Sequence, residues 1–475
     1  MIINMKFGVK MRKTKIVATM GPATNEYKSL KSIIQAGANV IRLNFSHGTQ
    51  EEHQANIDLV KQVRDELNLP VAIMVDTRGP EVRVKTFAEG SGILKKGKLF
   101  SLYGYAKQGT DEGVAVTEPK CLENLKKGSV VLANDGLIKL IVQENKGYEV
   151  VCKVVSGGVL GNNKGLNFRN TPLNLPYIGA KDKKDLIWAF QNECDMVSAS
   201  FVNSAEDVRA LKKLMLSQNY NCKIIAKIES LQGIKNLDEI LEEADGIMVA
   251  RGDLGVEIPQ ARLPKIQADM IEKATAAGKT VIVATEMLES MIHSPRPTRA
   301  ETIDVANAVY NGASTVMLSA ESAVGKYPDK AVRTMAEICI QAEKDIPYKK
   351  KFFETKFDTY GIGDTLGHSA TSCAFKVNTK AIVLYTSTGK TASMLSRFKP
   401  TCPIIAITDS EQCYNYLSME WNVLPVLSRI DNVDIFDLAC HIAKETKTAK
   451  DGDQIIVLTG STDMLNNVMK VCDVR

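Results

Sequence analysis

The chain has 475 residues, 44% hydrophobic and 24% charged, a balance that excludes a disordered or fibrous protein and points to about three domains. Its 60 Lys and Arg against 55 Asp and Glu leave a net charge of +5 with no run of one sign, which argues against a nucleic-acid partner. Ten cysteines without a CxxC pair and five histidines argue against a zinc ribbon, a disulfide framework or a His-based metal site, and no apolar run reaches membrane-spanning length.

Met1–Lys13 has neither the apolar core nor the small-residue cleavage site of a secretion signal, and residues 1–10 read as an N-terminal extension of a cytoplasmic protein. From Lys15 onward, short β-branched runs alternate with segments of helical period. The predicted strands are Lys15–Met20, Asn39–Leu43, Val71–Val75, Met196–Ala199, Lys223–Lys227, Gly246–Val249, Thr280–Ala284 and Thr315–Leu318. The predicted helices between and after them are Tyr27–Ala36, Glu51–Glu66, Asp182–Asn192, Ala205–Ser217, Leu237–Glu242, Leu263–Ala277, Thr298–Tyr310 and Pro328–Lys344. Thr49-x-x-Glu52 and Thr298-x-x-Glu301 carry the capping-box pattern, and Gly37 and Gly278 suit left-handed C-caps. The strands are continuously apolar, as expected when both faces of a parallel sheet are buried. Eight such units predict an α/β fold closed as a (β/α)₈ TIM barrel over residues 11–83 and 179–345, with an open doubly wound sheet as the alternative.

The connection Val84–Ile178 is far too long for a loop. It carries short apolar runs (Gly113–Val116, Ser129–Ala133, Leu137–Val142, Tyr148–Val154) and hairpin-turn signals at Asn134-Asp135-Gly136 and Asn145-Lys146-Gly147. Residues 84–178 therefore read as a small inserted all-β domain, a β-barrel lid on two hinge strands. After Lys344 the alternation restarts, predicting helix Thr365–Val377, strand Ala381–Tyr385, helix Thr391–Phe398 and strand Pro403–Thr408. Helix Glu411–Met419, strand Val423–Leu427, helix Val433–Thr446 and strands Gln454–Leu458 and Asn467–Val471 follow, giving a C-terminal open α/β domain over residues 346–475. Its charged, aromatic linker Tyr348–Lys356 need not be floppy.

In such a barrel the chemistry lies beyond the C-terminal ends of the strands, and all eight predicted ends are polar. Glu229 and Asp253 on adjacent ends suit a hard divalent ion with open positions, Mg²⁺ or Mn²⁺. Arg42, Lys227 and Arg83 suit a multiply anionic substrate such as a phosphate ester, the alternative for Lys227 being a salt bridge to Glu229 or Asp253. Gly252 leaves room for a small anion to approach backbone N–H groups. Metal plus cations, without a histidine base or cysteine nucleophile, points to phosphoryl transfer, whose transition state needs clamping more than covalent help. Asn44, Ser46, Asp76 and the Thr77 backbone form a second cluster with one charge, either a monovalent-cation site or an ordinary hydrogen-bonded loop cluster.

Along nearly its whole length, from about Met11 to Val474, the chain resembles the pyruvate kinase family. The resemblance is carried by Lys15–Ala23, Val40–Gly48, Asp76–Arg83, Ala226–Glu229, Met248–Glu257, Ala284–Met291 continuing through Ser294–Glu301, and Met317–Ser322. It implies transfer of a phosphoryl group from phosphoenolpyruvate to ADP, giving pyruvate and ATP in glycolysis, with Mg²⁺ (or Mn²⁺) and K⁺. It further implies Mg²⁺ on Glu229 and Asp253, phosphoryl stabilisation by Lys227, phosphate binding by Arg42, and the substrate carboxylate on Gly252, Asp253 and Thr285, with Thr285 near the path of enolate protonation. By the same resemblance K⁺ falls on Asn44, Ser46, Asp76 and Thr77, with Glu81 matching the potassium-dependent branch. The nucleotide falls on Pro22, Asn44, His47, Arg83 and Lys181, the insertion is a water-excluding lid, and the protein is a homotetramer.

Several positions depart from the family pattern. Glu286 stands for the usual Gln, Arg78 for Lys and Asn203 for a common Arg, and Ala320, Ser322 and Val324 alter the segment after the eighth strand. In the C-terminal domain, Thr386-Ser387-Thr388-Gly389-Lys390-Thr391 is either a phosphate cradle, where the family binds a sugar-phosphate effector, or a capped helix start with an exposed lysine. Its companion loop, Thr459–Asp463, is short and poor in glycine. A Mg²⁺-dependent lyase or aldolase and a catalytically dead sugar-phosphate sensor are the rival readings. The lid with Arg83 and Lys181 speaks against the first, and the joint presence of Lys227, Glu229 and Asp253 against the second.

Overall fold

The computed structural model describes residues 12–169, 171, 173, 175–359, 361–429, 434–459 and 467–475. Eight parallel strands close into a barrel in the order β1-β8-β7-β6-β5-β4-β3-β2: β1 Lys15–Thr19, β2 Val40–Asn44, β3 Ala72–Asp76, β4 Met196–Ala199, β5 Lys223–Ile228, β6 Gly246–Ala250, β7 Thr280–Ala284 and β8 Thr315–Leu318. Closure is made by β1 on β8, with Lys15 opposite Thr315 and Ala18 opposite Leu318. The open doubly wound alternative is thereby excluded. Strand residues are buried on both faces, which is why the sequence shows apolar runs rather than alternation.

The two capping boxes form as expected, with Thr49 and Thr298 side chains accepting from the N–H groups of Glu52 and Glu301. Ser204 and Asp207 form a third. Three elements differ from expectation. Arg251–Glu257, absent from the predicted helices, is a helix. Its two glycines lower its propensity and its N-cap Ala250 has no side-chain acceptor, so nothing local announces it; the Gly252 N–H is instead satisfied by Thr285 Oγ1 at 2.9 Å. The linker Tyr348–Lys356 is mostly helix, Tyr348–Glu354, with Tyr348 and Phe352 buried. Leu231–Lys235 is a further short helix, capped by Ser230.

The insertion forms a seven-stranded sheet and a two-stranded ribbon around its own core of Phe87, Phe100, Leu102, Val131, Leu140 and Val150. Strand Val82–Arg83 already belongs to that sheet, pairing with Gly165–Arg169. The sheet's edges meet at a single bridge, Val84 to Val116. Asn134, Asp135 and Gly136 make a left-handed turn at φ 52°, 55° and 82°, and this turn rests against Val256 of the Arg251–Glu257 helix. Arg169 Nη2 donates to the Val256 carbonyl at 2.9 Å, so the lid touches the helix that carries Asp253.

The C-terminal domain is a five-stranded sheet, β9 Ala381–Tyr385, β10 Ile404–Thr408, β11 Val423–Leu427, β12 Gln454–Thr459 and β13 Val468–Asp473, in the order β11-β10-β9-β12-β13 with β13 antiparallel. Its first helix starts at Gly361, earlier than predicted, and Ile435–Glu445 matches the predicted Val433–Thr446 except that residue 433 lies outside the described residues. Residues 1–10 and most of the Thr459–Asp463 loop also lie outside them. The segment Leu417–Val423 seals the barrel floor. Met419 O accepts from Thr315 Oγ1 at 3.1 Å, Ser418 Oγ donates to Asn39 O at 2.9 Å, and Lys15 Nζ donates to Val423 O at 2.8 Å. No helix among the described residues is long and apolar enough to cross a membrane.

Candidate active site

The strand pleat builds the site. Alternate strand residues point to the barrel axis, and toward the floor these are apolar, among them Val17, Val40, Met74, Ile225 and Met248. Continuing the same alternation upward brings in Thr19, Arg42, Asp76, Ser198 and Lys227, a polar layer whose members are buried or, for Lys227, nearly so. Arg42 Nε donates to Asp76 Oδ2 at 2.6 Å and Nη1 to Thr19 Oγ1 at 3.0 Å. Lys227 Nζ donates to Asp76 Oδ1 at 3.1 Å and Ser200 Oγ at 2.7 Å, and stands 3.0 Å from Glu229 Oε1. The salt bridge weighed as the alternative for Lys227 is therefore present, and the lysine sits in the barrel mouth as well.

Burial alone would raise the Asp76 pKa, but Arg42 and Lys227 outweigh it and hold the carboxyl below its ordinary range. Burial would likewise depress Lys227, but Asp76 and Glu229 hold its ammonium well above its ordinary value. The cation is permanent. Glu229 behaves differently: it is 1% exposed, and burial, helped by Asp253, outweighs Lys227 and pushes its carboxyl up to about 7.

Glu229 Oε2 accepts from the Phe201 N–H at 2.6 Å, while its buried Oε1 accepts no hydrogen bond. Asp253, exposed in the first turn of the Arg251–Glu257 helix, brings its carboxyl within hydrogen-bonding range of Glu229. Two carboxyls so placed need a proton or a cation between them. This donor pair fits a hard divalent ion. Among the described residues no group of three or more His, Cys, Asp or Glu is poised to hold a metal.

Register sets Asn44 opposite Asp76. Asn44 Oδ1 accepts from the Ser46 N–H at 3.1 Å, and the Thr77 carbonyl accepts from Ser200 Oγ at 2.7 Å. The donors of this second cluster are all oxygens with one charge, and Arg42 and Lys227 already share that charge, so the set fits a monovalent cation better than a divalent one.

Thr285 and Glu286 follow β7 at φ 68° and 53°, left-handed values costly for non-glycine residues. Arg251, 6% exposed, holds this turn: its guanidinium donates to the Thr285 carbonyl and pairs with Asp304 at 2.7 Å. The Thr285 hydroxyl donates to Ala284 O at 2.6 Å and accepts from Gly252 N, so the Gly252 N–H expected to face an anion is taken within the protein.

Pro22 and His47 are exposed at the ends of β1 and β2. Lys181 Nζ donates to Phe45 O and Asp185 Oδ2, both at 2.8 Å, which ties it to the loop that carries His47. Arg83 lies on the lid side, pairing with Glu81 at 2.8 Å and donating to Asn163 O at 2.9 Å. Arg78 also reaches Glu81, at 3.4 Å. The Asn203 departure acquires a physical account. Its side chain bonds Phe201 O and Ser230 Oγ while its carbonyl accepts from Asn236 Nδ2 at 2.8 Å, stapling the end of β4 to the turn after Glu229. Glu286 is exposed.

In the C-terminal domain, Gly389 N donates to Thr386 Oγ1 at 2.8 Å and Tyr416 OH to Thr388 O at 3.0 Å. Gly389 is left-handed at φ 72°, and a Cβ there would collide with Tyr416 OH. Ser387, Thr388 and Lys390 are exposed, and Thr391 is half-buried.

Ser200 was not among the sequence-predicted site residues, although its place after β4 was the available signal. Its N–H donates to Thr77 Oγ1 at 3.1 Å, and its hydroxyl connects Lys227 to the Thr77 carbonyl. Ser200→Ala is expected to lower kcat about tenfold with little change in KM, since it removes one hydrogen bond to a charged group worth about 1.5 kcal/mol. Steady-state kinetics checks this.

A closed barrel with a β lid and a mouth of fixed cations facing paired carboxyls defines a phosphotransferase of the electrostatic kind. A family model described as pyruvate kinase, barrel domain, matches residues 11–332, and one described as pyruvate kinase, alpha/beta domain, matches residues 364–472. The pyruvate kinase of Clostridium perfringens is 40% identical over 96% of this chain and 99% of its own length. That of Staphylococcus haemolyticus is 42% identical over 95% of this chain and 78% of its own length. A crystal structure of a pyruvate kinase from Cryptosporidium parvum superposes with a TM-score of 0.93 at 36% identity, covering 98% of this chain and 96% of that one. The chain belongs to the pyruvate kinase family.

Proposed function

We propose that the chain transfers the phosphoryl group of phosphoenolpyruvate to ADP in glycolysis, with Mg²⁺ (or Mn²⁺) and K⁺. The observation that carries this reading is the meeting of Lys227 with Asp76 and Glu229 in the barrel mouth, with Arg42 beside them. A divalent ion on Glu229 and Asp253, with a monovalent one among Asn44, Ser46, Asp76 and Thr77, would neutralise charge on the substrate phosphates.

The chain's own residues do the rest. Arg42, fixed by Asp76 and Thr19, presents its remaining N–H groups to the phosphate of phosphoenolpyruvate. Lys227 is fully charged and held by Ser200, so it stabilises the phosphoryl group as the bond to the enol oxygen breaks and the bond to the ADP oxygen forms. Thr285, with the backbone at Gly252 and Asp253, binds the carboxylate, which must displace Ala284 O from the Thr285 hydroxyl and Thr285 Oγ1 from the Gly252 N–H. The enolate then takes a proton from water at carbon on the Thr285 side, leaving hydroxide to be neutralised by solvent, and pyruvate leaves. Pro22, Asn44, His47, Arg83 and Lys181 bind the nucleotide. The lid over the mouth excludes the water that would otherwise accept the phosphoryl group.

Coupling pyruvate formation to a readout, with each ion omitted in turn, tests the reading. Turnover is expected to collapse without Mg²⁺ and to fall severalfold or more without K⁺. Full activity without K⁺ would remove the monovalent site.

The exposed Ser387, Thr388 and Lys390, with Thr386, Gly389 and Thr391, support a sugar-phosphate effector site in the C-terminal domain. Lys390→Glu is expected to abolish activation by a sugar phosphate and leave basal kcat unchanged, and an unchanged response would place the effector elsewhere. Cytoplasmic location and a homotetramer complete the proposal; they rest on the family resemblance.

A further inference from the structure

A cavity of about 990 Å³ opens at the end of the barrel opposite the site, between the barrel's outer helices and the C-terminal domain. Helices Leu237–Glu243 and Leu263–Ala276 form one wall, and helix Tyr348–Glu354 with Arg397–Lys399 and Trp421 form the other. Its volume suits a small organic ligand, for which sites run to about 300–1,000 Å³.

Three features of the wall point to a ligand. Tyr348 and Trp421, with ring centroids 5.5 Å apart, join Phe352 in an aromatic surface. Tyr348 is 8% exposed, yet its hydroxyl has no hydrogen-bond partner, and neither has the buried Thr275 Oγ1 of the opposite wall. Two cations line the same space without an ion-paired carboxylate. Lys399 Nζ stands 4.3 Å over the Trp421 ring, and Lys279 Nζ donates to Ala244 O at 2.6 Å. Lys273 and Arg397 of the same wall are paired with Asp238 and Asp364 at 2.7 and 2.8 Å. Among the described residues, by contrast, no carboxylate forms an ion pair with Lys279 or Lys399.

We propose that this cavity binds a small organic anion with a flat apolar body, its acidic group on Lys399 and Lys279 and its body against Trp421, Tyr348 and Phe352. A neutral apolar ligand would leave two half-buried lysines without an ion-pairing partner, and a bare inorganic anion would leave the aromatic wall without an apolar one. The orphaned hydroxyls supply the hydrogen bonds that orient a polar edge. Burial, only partly offset by Glu420 and Glu343, pushes the Lys399 ammonium down to about 7, and burial, partly offset by Asp245, lowers that of Lys279. The site is separate from the Thr386–Thr391 loop, none of whose residues lines it. A ligand there touches both the barrel and the C-terminal domain and so ties the two together.

The chain has two tryptophans, Trp188 and Trp421, which makes the site optically addressable. The full-length protein is titrated with an arylsulfonate fluorophore, 1-anilinonaphthalene-8-sulfonate, with its neutral counterpart N-phenyl-1-naphthylamine, and with inorganic sulfate, while energy transfer from tryptophan is recorded. One equivalent of the arylsulfonate is expected to bind with transfer that disappears in Trp421→Phe. Lys399→Met and Lys279→Gln should each weaken it about tenfold or more, the loss of one charge-assisted contact. The neutral amine and sulfate should bind at least tenfold more weakly, and Lys399→Met should keep the parental kcat. Equal affinity for the neutral amine overturns the anionic requirement, and equal affinity for sulfate overturns the apolar one. Transfer that survives Trp421→Phe, or affinity unmoved in every folded lysine variant, overturns the site.

Discussion

Lys227→Met is expected to lower kcat about 10³-fold while phosphoenolpyruvate still binds, because Arg42 and the carboxylate contacts remain. The size follows from the location. Lys227 is a permanent cation in a nearly dry layer, where one preorganised charge on a phosphoryl group in flight is worth far more than in water. Steady-state turnover gives the loss, and a binding titration with phosphoenolpyruvate separates it from loss of affinity. The substitution also leaves Glu229 without its neighbouring cation, so melting of the variant must be measured alongside. Lys227→Arg is the control: it keeps the charge and the fold, yet should remain more than tenfold slow, because a planar fork cannot replace a compact ammonium between Asp76, Ser200 and Glu229. A Lys227→Met enzyme that turns over at the parental rate would remove Lys227 from the mechanism.

Glu229→Gln should have the second large effect, with opposite signs for activity and stability. Turnover at saturating Mg²⁺ is expected to fall about 10³-fold, since an amide anchors a hard divalent ion poorly. Without divalent ions the same variant should be the more stable protein above neutrality. Burial, with Asp253 beside it, holds the folded carboxyl above its ordinary value, so the native state holds this proton more tightly than the unfolded chain. Its contribution is intact below the ordinary value and is lost as pH rises through 7. Glutamine cannot ionise, so the difference in Tm between variant and parent, measured in chelator, should be small at low pH and large in alkali. Mg²⁺ should close that gap by stabilising the parent alone. A Tm difference that does not change with pH would mean that the carboxyl titrates normally.

The barrel and the centre of the site were legible in the sequence for one shared reason. Strands buried on both faces must be apolar until they leave the core, so Arg42, Asp76, Lys227 and Glu229 stand out where the runs break. The partnerships among these residues were not legible. That Asp76 serves Arg42 and Lys227 together, or that Ser200 carries Lys227 to the Thr77 carbonyl, depends on which strands become neighbours, and spacing along the chain does not encode it. The Arg251–Glu257 helix escaped because Thr285, in the turn after the next strand, supplies the acceptor a local cap would have provided. The clamp of Arg251 on Asp304 and the strained Thr285 turn escaped similarly, because each end is an unremarkable polar residue until the eight strands close.

The way the barrel is shut has a bearing on its synthesis. Lys15 and its neighbours find their second sheet partner only at Thr315–Leu318, and the floor beneath them is filled by Leu417–Val423. On the ribosome, β1 must therefore wait with an unpaired edge while the lid, which has its own core, is completed. A nascent chain halted before Thr315 would expose that edge to any passing strand, and a chaperone that shields it would act on the first fifth of the polypeptide rather than the last.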